Sequence, residues 1–259
     1  MTVSFTVENH VARVTIDRPD RMNAVDLATE AELVRIWETI EKDRGIRVVV
    51  LTGAGDRAFC TGADMKGQSS GLSGLEYWAA PRPGGFGGIA LRDTLNVPVI
   101  ARVNGHALGG GMEMVLGCDI VVASEKATFG LPEPRVGRLA LDGGIAMLTR
   151  RIGHVDAMGM LLTGRRIGAE EARAFGLVNE VVAADALDAA VDRWIGEILA
   201  CAPLSVRAIK AMVRAGERMS AREAQMLRVP QLVEALKSED QNEGVKAFQE
   251  KRQPNWQGR

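Results

Sequence analysis

The stretch Asn104-Gly105-His106-Ala107-Leu108-Gly109-Gly110-Gly111-Met112-Glu113, which follows an apolar strand-like run at 97–103, decides the fold of this chain. Three consecutive glycines between a strand and a helix-like run leave backbone N–H groups open to a ligand, at the positive end of the helix dipole. A helix places the Glu113 carboxylate near the same turn. The segment predicts either an anion site beside a proton-transfer group, or a packing turn with Glu113 solvated.

Strand and helix signals alternate around this segment. Hydrophobic alternation on both sides of residues 8–10 predicts a β-hairpin, and apolar residues at helical spacing predict a helix over 26–42. Short apolar runs are typical of strands covered on both faces, so the alternation indicates an α/β core. The predicted strands are 3–7, 11–16, 48–51, 97–103 and 118–123. The predicted C-terminal helices are 185–199, 204–218, 221–237 and 239–252.

Composition excludes several classes of protein. With 259 residues and 46% hydrophobic content, the chain can bury a large core in one domain. A net charge of −1 with interspersed acids and bases does not favour nucleic acid or an anionic membrane as partner. Three cysteines without metal-ligand spacing indicate reduced thiols and no metal site. Without a signal-peptide pattern or an apolar run long enough to cross a bilayer, we expect a soluble, cytoplasmic protein.

A second candidate segment is Ala58-Phe59-Cys60-Thr61-Gly62-Ala63-Asp64-Met65-Lys66, which follows the run at 48–51. The small residues Gly62 and Ala63 let a ligand approach the backbone, and Asp64 could cap a following helix. Backbone N–H groups here could face those of the glycine turn, and two such donors on one oxygen form an oxyanion hole. The alternative is an ordinary capped turn.

A third segment, Phe129-Gly130-Leu131-Pro132-Glu133-Pro134, keeps Glu133 out of a helix interior because prolines flank it. If Glu133 and Glu113 met across a water-sized gap, their pKa values would split, so that one could activate water while the other delivers a proton. The alternative is an exposed loop glutamate. Between residues 67 and 88, a Gly/Ser/Pro-rich stretch carrying Tyr77, Trp78 and Phe86 indicates a binding loop or lid.

Together the three segments resemble the enoyl-CoA hydratase/isomerase (crotonase) superfamily. The resemblance covers nearly the whole chain. Further matching motifs are Ile16-Asp17-Arg18-Pro19, Asn23-Ala24, Leu162-Thr163-Gly164-Arg165-Arg166-Ile167, Glu170-Glu171-Ala172, Gly176-Leu177-Val178-Asn179 and Ala247-Phe248-Gln249-Glu250-Lys251-Arg252. The resemblance implies stacked ββα units in a spiral α/β core over 1–184. It also implies a helical region over 185–259 that packs on the core and supports a homotrimer or homohexamer.

The resemblance also implies roles for residues. The N–H groups of Ala63 and Gly110 would hold a thioester oxygen, while Glu113 and Glu133 would activate water and protonate the α-carbon of an enoyl-CoA. Coenzyme A would enter as part of the substrate, with no separate cofactor. Phe248 and Lys251 match positions that contact the CoA of an adjacent subunit, although they could equally form a solvated helix end. The full set of expected substrate-binding residues is Arg21, Met22, Ala24, Ala58, Thr61, Asp64, Met65, Tyr77, Trp78, Asp142, Phe248 and Lys251.

One segment departs from the family pattern. Gly137-Arg138-Leu139-Ala140-Leu141-Asp142-Gly143-Gly144 replaces an Ile-Pro-Gly-Ala-Gly-Gly type of sequence. Asp142 caps the following helix or places an acid at the acyl pocket. In the second case, a specialised dehydratase resembling carnitinyl-CoA dehydratase, or an enoyl- or dienoyl-CoA isomerase, is the alternative to a hydratase. A non-catalytic acyl-CoA-binding protein is a further alternative, which intact Glu113 and Glu133 disfavour. We expect His106, Cys60 and Cys118 to be packed residues.

Overall fold

The N-terminal alternation folds as the predicted hairpin in the computed structural model, which describes residues 2–66, 71–80 and 82–259. The first strand pairs antiparallel with the second, with Val3 opposite Ile16. Asn9 and His10 at the turn both have positive φ, 48° and 70°, as a two-residue turn matched to the twist of its strands requires. The strands are β1 Val3–Glu8, β2 Val11–Ile16, β3 Val48–Gly53, β4 Ala58–Cys60, β5 Val99–Val103, β6 His106–Leu108, β7 Ile120–Ser124, β8 Thr128–Gly130, β9 Arg166–Gly168 and β10 Glu180–Val182.

The longer strands form one six-stranded sheet among the described residues, in the order β1-β2-β3-β5-β7-β10. From β2 to β10 all neighbours are parallel. The apolar run of β3 is buried along the strand, because both faces of a parallel sheet are covered. This confirms the α/β prediction.

Three-residue strands form a second sheet, ordered β4-β6-β8-β9. Each is too short to show a hydrophobic period, so the sequence pattern did not predict them. They lie directly after strands of the large sheet: β4 follows β3, β6 follows β5 and β8 follows β7. After β6 the chain enters a helix, which completes a ββα unit, and the stacked units agree with the expected crotonase-like architecture.

Each helix range predicted from periodicity corresponds to a helix of the structure, with one exception. Asp26 caps the first helix by accepting a hydrogen bond from the Thr29 N–H. The single helix predicted over 221–237 is wrong, because Pro230 cannot donate to the preceding turn and the chain breaks into two helices. The helices are α1 Leu27–Lys42, α2 Gly74–Ala79, α3 Gly110–Leu116, α4 Gly144–Arg151, α5 His154–Thr163, α6 Ala169–Ala174, α7 Leu187–Leu199, α8 Pro203–Gly216, α9 Ala221–Gln225, α10 Pro230–Lys237 and α11 Glu239–Glu250.

The C-terminal helices pack in two groups. α7 covers one face of the large sheet, where Leu187 and Val191 join a cluster with Val48, Val50 and Ile100. Further along, α8 and α10 pack through a small separate cluster of Leu204, Ala208 and Ala235. Within the described ranges, none of the helices has the length and apolar character that crossing a bilayer requires.

The stretch predicted as a binding loop contains a short helix. α2 carries both halves of a capping box, in which the Ser73 hydroxyl accepts from the Glu76 N–H and the Glu76 carboxylate accepts from the Ser73 N–H. Residues 67–70 and 81 of the predicted loop lie outside the described residues. α2 brings Tyr77 to the site described below.

Candidate active site

The glycine turn is packed so tightly that side chains are excluded. Gly109 has φ +57° and follows β6, and α3 begins at Gly110. A Cβ on Gly110 would lie 2.6 Å from ring atoms of Phe86, and one on Gly111 would lie 2.0 Å from the Cys60 carbonyl oxygen. Close packing is therefore one reason for the three glycines.

The turn also meets the second candidate segment. An added Cβ on Gly62, which has φ +89°, would lie 3.1 Å from the Gly110 nitrogen. The neighbouring backbone N–H groups already have acceptors. The Val25 N–H donates to the Gly62 carbonyl and the Asp64 N–H donates to the Val25 carbonyl, both at 2.9 Å. By contrast, the N–H groups of Ala63 and Gly110 have no acceptor within residues 2–66, 71–80 and 82–259. Two adjoining segments thus each carry a free backbone donor, as an oxyanion hole needs.

Glu113 lies on α3 and is 4% exposed, so the interpretation of this residue as solvated is wrong. Its Oε1 accepts a hydrogen bond from the Gly144 N–H at 2.9 Å. Burial raises the pKa of Glu113 to about 7, and the negative charges of Asp142 and Glu133 add to the effect, while the Gly144 N–H opposes it. A carboxylate with a pKa near neutrality can both accept and release a proton at physiological pH.

Glu133 begins a short 3-10 helix, Glu133–Val136, and faces the glycine turn. Its Oε1 lies 3.0 Å from the position that a Cβ on Gly109 would occupy. Its Oε2 is buried and has no hydrogen-bond partner in the described part of the chain. Burial raises the pKa of Glu133. The carboxylate therefore does not lie in an exposed loop, and its free oxygen is ready for water or substrate.

Asp142 does not cap α4, so the capping prediction is wrong. The N-cap residue is Gly143, and no side chain caps that helix. Asp142 Oδ2 instead accepts hydrogen bonds from the Tyr77 hydroxyl at 2.5 Å and from Arg82 Nη1 at 2.8 Å. The other end of the Arg82 guanidinium pairs with Glu30 of α1, and its carbon lies 4.5 Å from the centroid of the Tyr77 ring. We call Glu30, Tyr77, Arg82 and Asp142 the Asp142 cluster.

Sequence reasoning missed two members of this cluster, Arg82 and Glu30. Arg82 is separated by 60 residues from Asp142 and by 52 from Glu30, so no local spacing connects them. Glu30 has the appearance of an ordinary acid in the first turn of α1. A buried acid such as Asp142 requires a partner, but nothing in the sequence identifies which arginine supplies it.

Other predicted substrate-binding residues support the second segment. Met22 has a left-handed backbone with φ +54°, and its carbonyl accepts from the Thr61 hydroxyl at 3.3 Å. Ala58 is buried in β4, where its carbonyl accepts from the side-chain amides of Asn23 and Asn104 at 2.7 and 3.1 Å. Residues 22–24 thus pack against 58–61, immediately before Gly62 and Ala63.

Asp64 was also predicted as a possible helix cap, and the structure contradicts this. Its Oδ2 accepts from Arg18 at 2.9 Å and its Oδ1 accepts from the Lys66 N–H at 3.0 Å. Burial raises the pKa of Asp64, but the Lys66 and Arg18 hydrogen bonds outweigh it and hold the pKa below its ordinary value. Arg18 also pairs with Asp26 and donates to the carbonyl of buried Ala24. Asp64 therefore holds the second candidate segment to Arg18.

Five predicted substrate-binding residues lie on the surface or at its edge. Met65 and Trp78 are largely exposed and border the segments left undescribed, and Arg21 is also exposed. Phe248 on α11 is 85% exposed, and Lys251 follows that helix with a left-handed backbone. Among these residues, the structure brings none into the hydrogen-bonded site around Glu113.

The three residues expected to be packed are packed. His106 Nδ1 lies 2.7 Å from the Thr128 hydroxyl, across the pairing of β6 with β8. Cys60 and Cys118 are buried, and burial raises the pKa of each thiol to about 12. They are therefore protonated and unreactive at neutral pH.

Known proteins resemble this chain over nearly its whole length. The model of a family described as Enoyl-CoA hydratase/isomerase matches residues 6–259. A relative named (E)-benzylidenesuccinyl-CoA hydratase, from Thauera aromatica, is 42% identical over 261 residues, covering 100% of both chains. Carnitinyl-CoA dehydratase from Proteus mirabilis is 37% identical, covering 100% of this chain and 99% of its own.

Solved structures share its fold. The crystal structure of enoyl-CoA hydratase from Bacillus anthracis superposes with a TM-score of 0.91 at 33% identity, covering 100% of both chains. The chain belongs to the enoyl-CoA hydratase/isomerase family, the crotonase superfamily. Within it, the chain is a crotonase-type hydratase, a hydro-lyase for acyl-CoA thioesters.

Proposed function

We propose that this hydratase adds water syn across the double bond of a trans-2-enoyl-CoA to give a 3-hydroxyacyl-CoA, with Glu113 and Glu133 as its proton-transfer groups. The observation that carries the proposal is the buried Oε2 of Glu133, which has no hydrogen-bond partner among the described residues. The Oε1 of the same carboxylate lies beside Gly109, and its negative charge acts on Glu113. A buried carboxylate oxygen without a partner costs free energy. A bound water that is about to react would satisfy it.

The substrate's thioester oxygen would lie between the N–H groups of Ala63 and Gly110. When water adds at the β-carbon, electrons move through the double bond to this oxygen, and the two donors stabilise the resulting enolate. The donors are fixed in place by the hydrogen bonds of Gly62, Asp64 and Gly109, so they need no reorganisation during the reaction. Loss of one such donor lowers kcat by about 10²–10³-fold in comparable sites.

The two glutamates would divide the proton transfers. One ionised carboxylate takes a proton from the attacking water, and the protonated partner delivers a proton to the α-carbon. Burial raises the pKa of both carboxyl groups, and the negative charge of Glu133 raises the pKa of Glu113 further, which favours one ionised and one protonated carboxyl in the pair. CoA enters as part of the substrate, and no other cofactor is needed for this chemistry.

The test is a spectrophotometric assay that follows loss of the 2-enoyl thioester absorbance over substrates of varied length and branching. Glu113→Gln and Glu133→Gln should each lower kcat by about 10²-fold or more, because a general acid or base is lost. Binding of a saturated acyl-CoA should persist in both. Glu217→Gln, at an exposed position, is the matched control. Near-wild-type rates in either catalytic variant would refute the two-glutamate mechanism.

A double-bond isomerase is the second candidate, because the Asp142 carboxylate adds a third acid beside Glu113. This function predicts turnover of 3-enoyl-CoA substrates, with formation of the 2-enoyl thioester absorbance instead of its loss. Faster turnover of 3-enoyl than of 2-enoyl substrates would favour the isomerase.

We further propose a homotrimer, or a hexamer of paired trimers, in the cytoplasm. Exposed apolar side chains on the C-terminal helices support assembly, since such residues mark interaction surfaces when they cluster. They include Ile209, Val213, Leu236, Val245 and Phe248. Light scattering coupled to size exclusion tests the proposal, and a monomer at micromolar concentration would contradict it.

A further inference from the structure

Two buried asparagine side chains meet at one backbone carbonyl shortly before the proposed oxyanion hole. Asn23 and Asn104 are 1% and 6% exposed, whereas asparagine is mostly found at protein surfaces. Their amide nitrogens lie 2.7 and 3.1 Å from the carbonyl oxygen of Ala58, the first residue of β4. A carbonyl oxygen has two lone pairs, so it can accept from both amides at once.

The same two amides hold the turn between β3 and β4. Asn23 also donates to the Ala54 carbonyl at 2.9 Å. Asn104 also donates to the carbonyls of Gly53 and Gly55, at 3.0 and 2.7 Å. Backbone carbonyl groups inside a protein need donors, and here side chains from two other segments supply them.

Each asparagine lies on the segment that carries or holds one of the two oxyanion donors. Asn23 comes two residues before Val25, which forms a parallel bridge with Ala63 and exchanges hydrogen bonds with the residues on either side of Ala63. Asn104 begins the segment that runs through β6 into the glycine turn and Gly110. The two amides therefore join these segments at the Ala58 carbonyl.

Close packing keeps this junction rigid. A Cβ on Gly53 would lie 2.4 Å from the Asn23 amide nitrogen, and one on Gly105 would lie 2.3 Å from the Arg57 carbonyl oxygen. Asn23 has φ +55°, a backbone conformation in which asparagine is enriched. Its side-chain oxygen accepts from the Arg18 N–H at 3.0 Å. Both ends of the Asn23 amide are thus engaged, which fixes the direction in which it donates.

The alignment of the two donors depends on what joins their segments. An oxyanion hole is effective because its donors point at one oxygen before the reaction starts, and a displacement of about 1 Å can lower a rate by about 10²-fold. The backbone of β4 pairs with that of β6, but the register shifts between Ala58 and Cys60. The ladder is irregular at the residue where the two amides donate, so the amides supply a connection that the ladder does not.

We propose that Asn23 and Asn104 are positioning residues of the hydration reaction, which set the distance between the two oxyanion donors by holding the Ala58 carbonyl from both sides. Both side chains act through the backbone and not by contact with the substrate. The inference rests on the proposed function for the place of the thioester oxygen. A purely structural role would instead predict loss of stability with unchanged donor geometry.

Infrared spectroscopy of a bound thioester measures the donor geometry. The probe is butyryl-CoA with carbon-13 at the thioester carbonyl, a saturated compound that binds without turnover. Hydrogen bonds weaken the carbonyl bond, so on binding to the wild-type protein its stretching band should move to lower wavenumber than in water. Asn104→Ala and Asn23→Gly should lose most of this shift when saturated with the probe. Glycine is chosen at position 23 because it tolerates the positive φ.

Kinetics should change in the same variants. We expect kcat for a trans-2-enoyl-CoA to fall by about 10²-fold in each, with a much smaller change in KM, because the donors act mainly on the enolate. The double variant should lose about 10²–10³-fold, less than the product of the single effects, since both amides act through one carbonyl. Single effects that multiply would overturn the shared connection.

A matched control separates positioning from general loss of stability. The Asn179 side chain also bonds to backbone, accepting from the Val121 N–H of β7 at 2.8 Å. Asn179→Ala should lower stability and keep both the wild-type band and kcat. If Asn104→Ala does not fold, Asn104→Ser, which keeps a shorter donor, should lose part of the shift. A band at its wild-type position in the folded variants of Asn23 and Asn104 would overturn the proposal.

The wild-type band distinguishes this inference from the proposed function. If the band does not move on binding, the oxyanion hole itself is refuted, and the positioning role with it. If it moves and the asparagine variants keep the shift, the positioning role alone is refuted. If the variants lose the shift and no 2-enoyl substrate is hydrated by the wild-type protein, the positioning of the donors stands and the proposed reaction fails.

Discussion

The candidate site has two sides, one formed by backbone groups and the other by side chains. The side proposed to hold the thioester consists of backbone: the N–H groups of Ala63 and Gly110, fixed by glycines that tolerate no side chain. The opposite side consists of side chains, in which Asp142 is held by Tyr77 of α2, by Arg82 and, through Arg82, by Glu30 of α1.

This difference separates stabilisation of the enolate, which is the same for every substrate, from recognition of the rest of the acyl group, which can vary. A backbone donor stabilises the same enolate oxygen whatever the rest of the acyl group is. Side chains can be exchanged without disturbing the fold, so selectivity can change on the cluster side while the chemistry stays fixed. Glu113 joins the two sides, because it lies on the glycine-led helix and is held by the Gly144 N–H next to Asp142.

The largest expected effect comes from breaking the backbone side. Gly111→Ala would place a Cβ 2.0 Å from the Cys60 carbonyl, so β4 and α3 must move apart. We expect kcat to fall by about 10²-fold or more as the donors lose alignment, and the free energy of unfolding to fall by about 1–3 kcal/mol. Gly159→Ala in α5 is the control, since a Cβ there meets nothing within 4 Å and alanine favours a helix. Steady-state kinetics and denaturant unfolding check both variants, and wild-type kcat in Gly111→Ala would contradict the account.

The next effect concerns the residue that joins the sides. Because the pKa of Glu113 is about 7 in the folded protein and near its ordinary value when unfolded, the folded state holds the extra proton. Stability from this group is therefore present below about pH 4.5 and is lost as pH rises through 7. Glu113→Gln carries no charge, so at pH 8 it should be more stable than wild type by up to about 3 kcal/mol. Denaturant unfolding at pH 5 and pH 8 tests this, and an equal difference at both values would be inconsistent with it.

A smaller effect should follow on the side-chain side. Tyr77→Phe removes the hydroxyl that donates to Asp142 and leaves the ring beneath Arg82. Since a hydrogen bond to a charged group contributes about 1.5–3 kcal/mol and this one is partly solvated, we expect a loss of about 1–2 kcal/mol in unfolding free energy. Trp78→Phe, on the exposed face of α2, is the control. An unchanged stability in Tyr77→Phe would show that α2 does not hold Asp142.

The smallest effect is a shift in pH dependence. Asp142→Asn removes a negative charge that helps to raise the pKa of Glu113. The transition in kcat/KM near pH 7 should therefore move to lower pH, because the ionised form of Glu113 becomes less disfavoured. A pH profile with a straight-chain trans-2-enoyl-CoA measures it. Movement to higher pH would contradict the placement of Asp142 beside Glu113.

The backbone side could be predicted from the sequence, whereas the side-chain side could be predicted only in part, because Tyr77 and Asp142 were expected there and Arg82 and Glu30 were not. Glycines 109–111 mark a turn that needs close approach, and Glu113 three residues after Gly110 follows from helix geometry. The buried strands were equally readable from their apolar runs. The sequence pattern missed the three-residue strands because they are too short to show a hydrophobic period. It also missed the break before Pro230, because the residues on both sides continue a helical pattern.

The Asp142 cluster depends on contacts between distant parts of the chain. Tyr77 comes from α2, Arg82 from the segment after it and Glu30 from α1, and only the neighbourhood of Tyr77 indicated a binding role from the sequence. Capping was a reasonable expectation for an aspartate before a helix, but Gly143 adopts a left-handed backbone, and the carboxylate turns to the arginine instead. The sequence left open whether Asp142 caps the helix or lies at the acyl pocket, and the folded chain brings its carboxylate to Tyr77 and Arg82.

The most direct test of the central claim is hydration in water enriched in oxygen-18, with mass spectrometry of the CoA product. If the two glutamates activate water against an enolate held by the glycine turn, the product of the wild-type protein carries one labelled oxygen in a new hydroxyl group. Glu133→Gln should form this product about 10²-fold more slowly. A product of the same mass as the substrate, without label, would contradict the account.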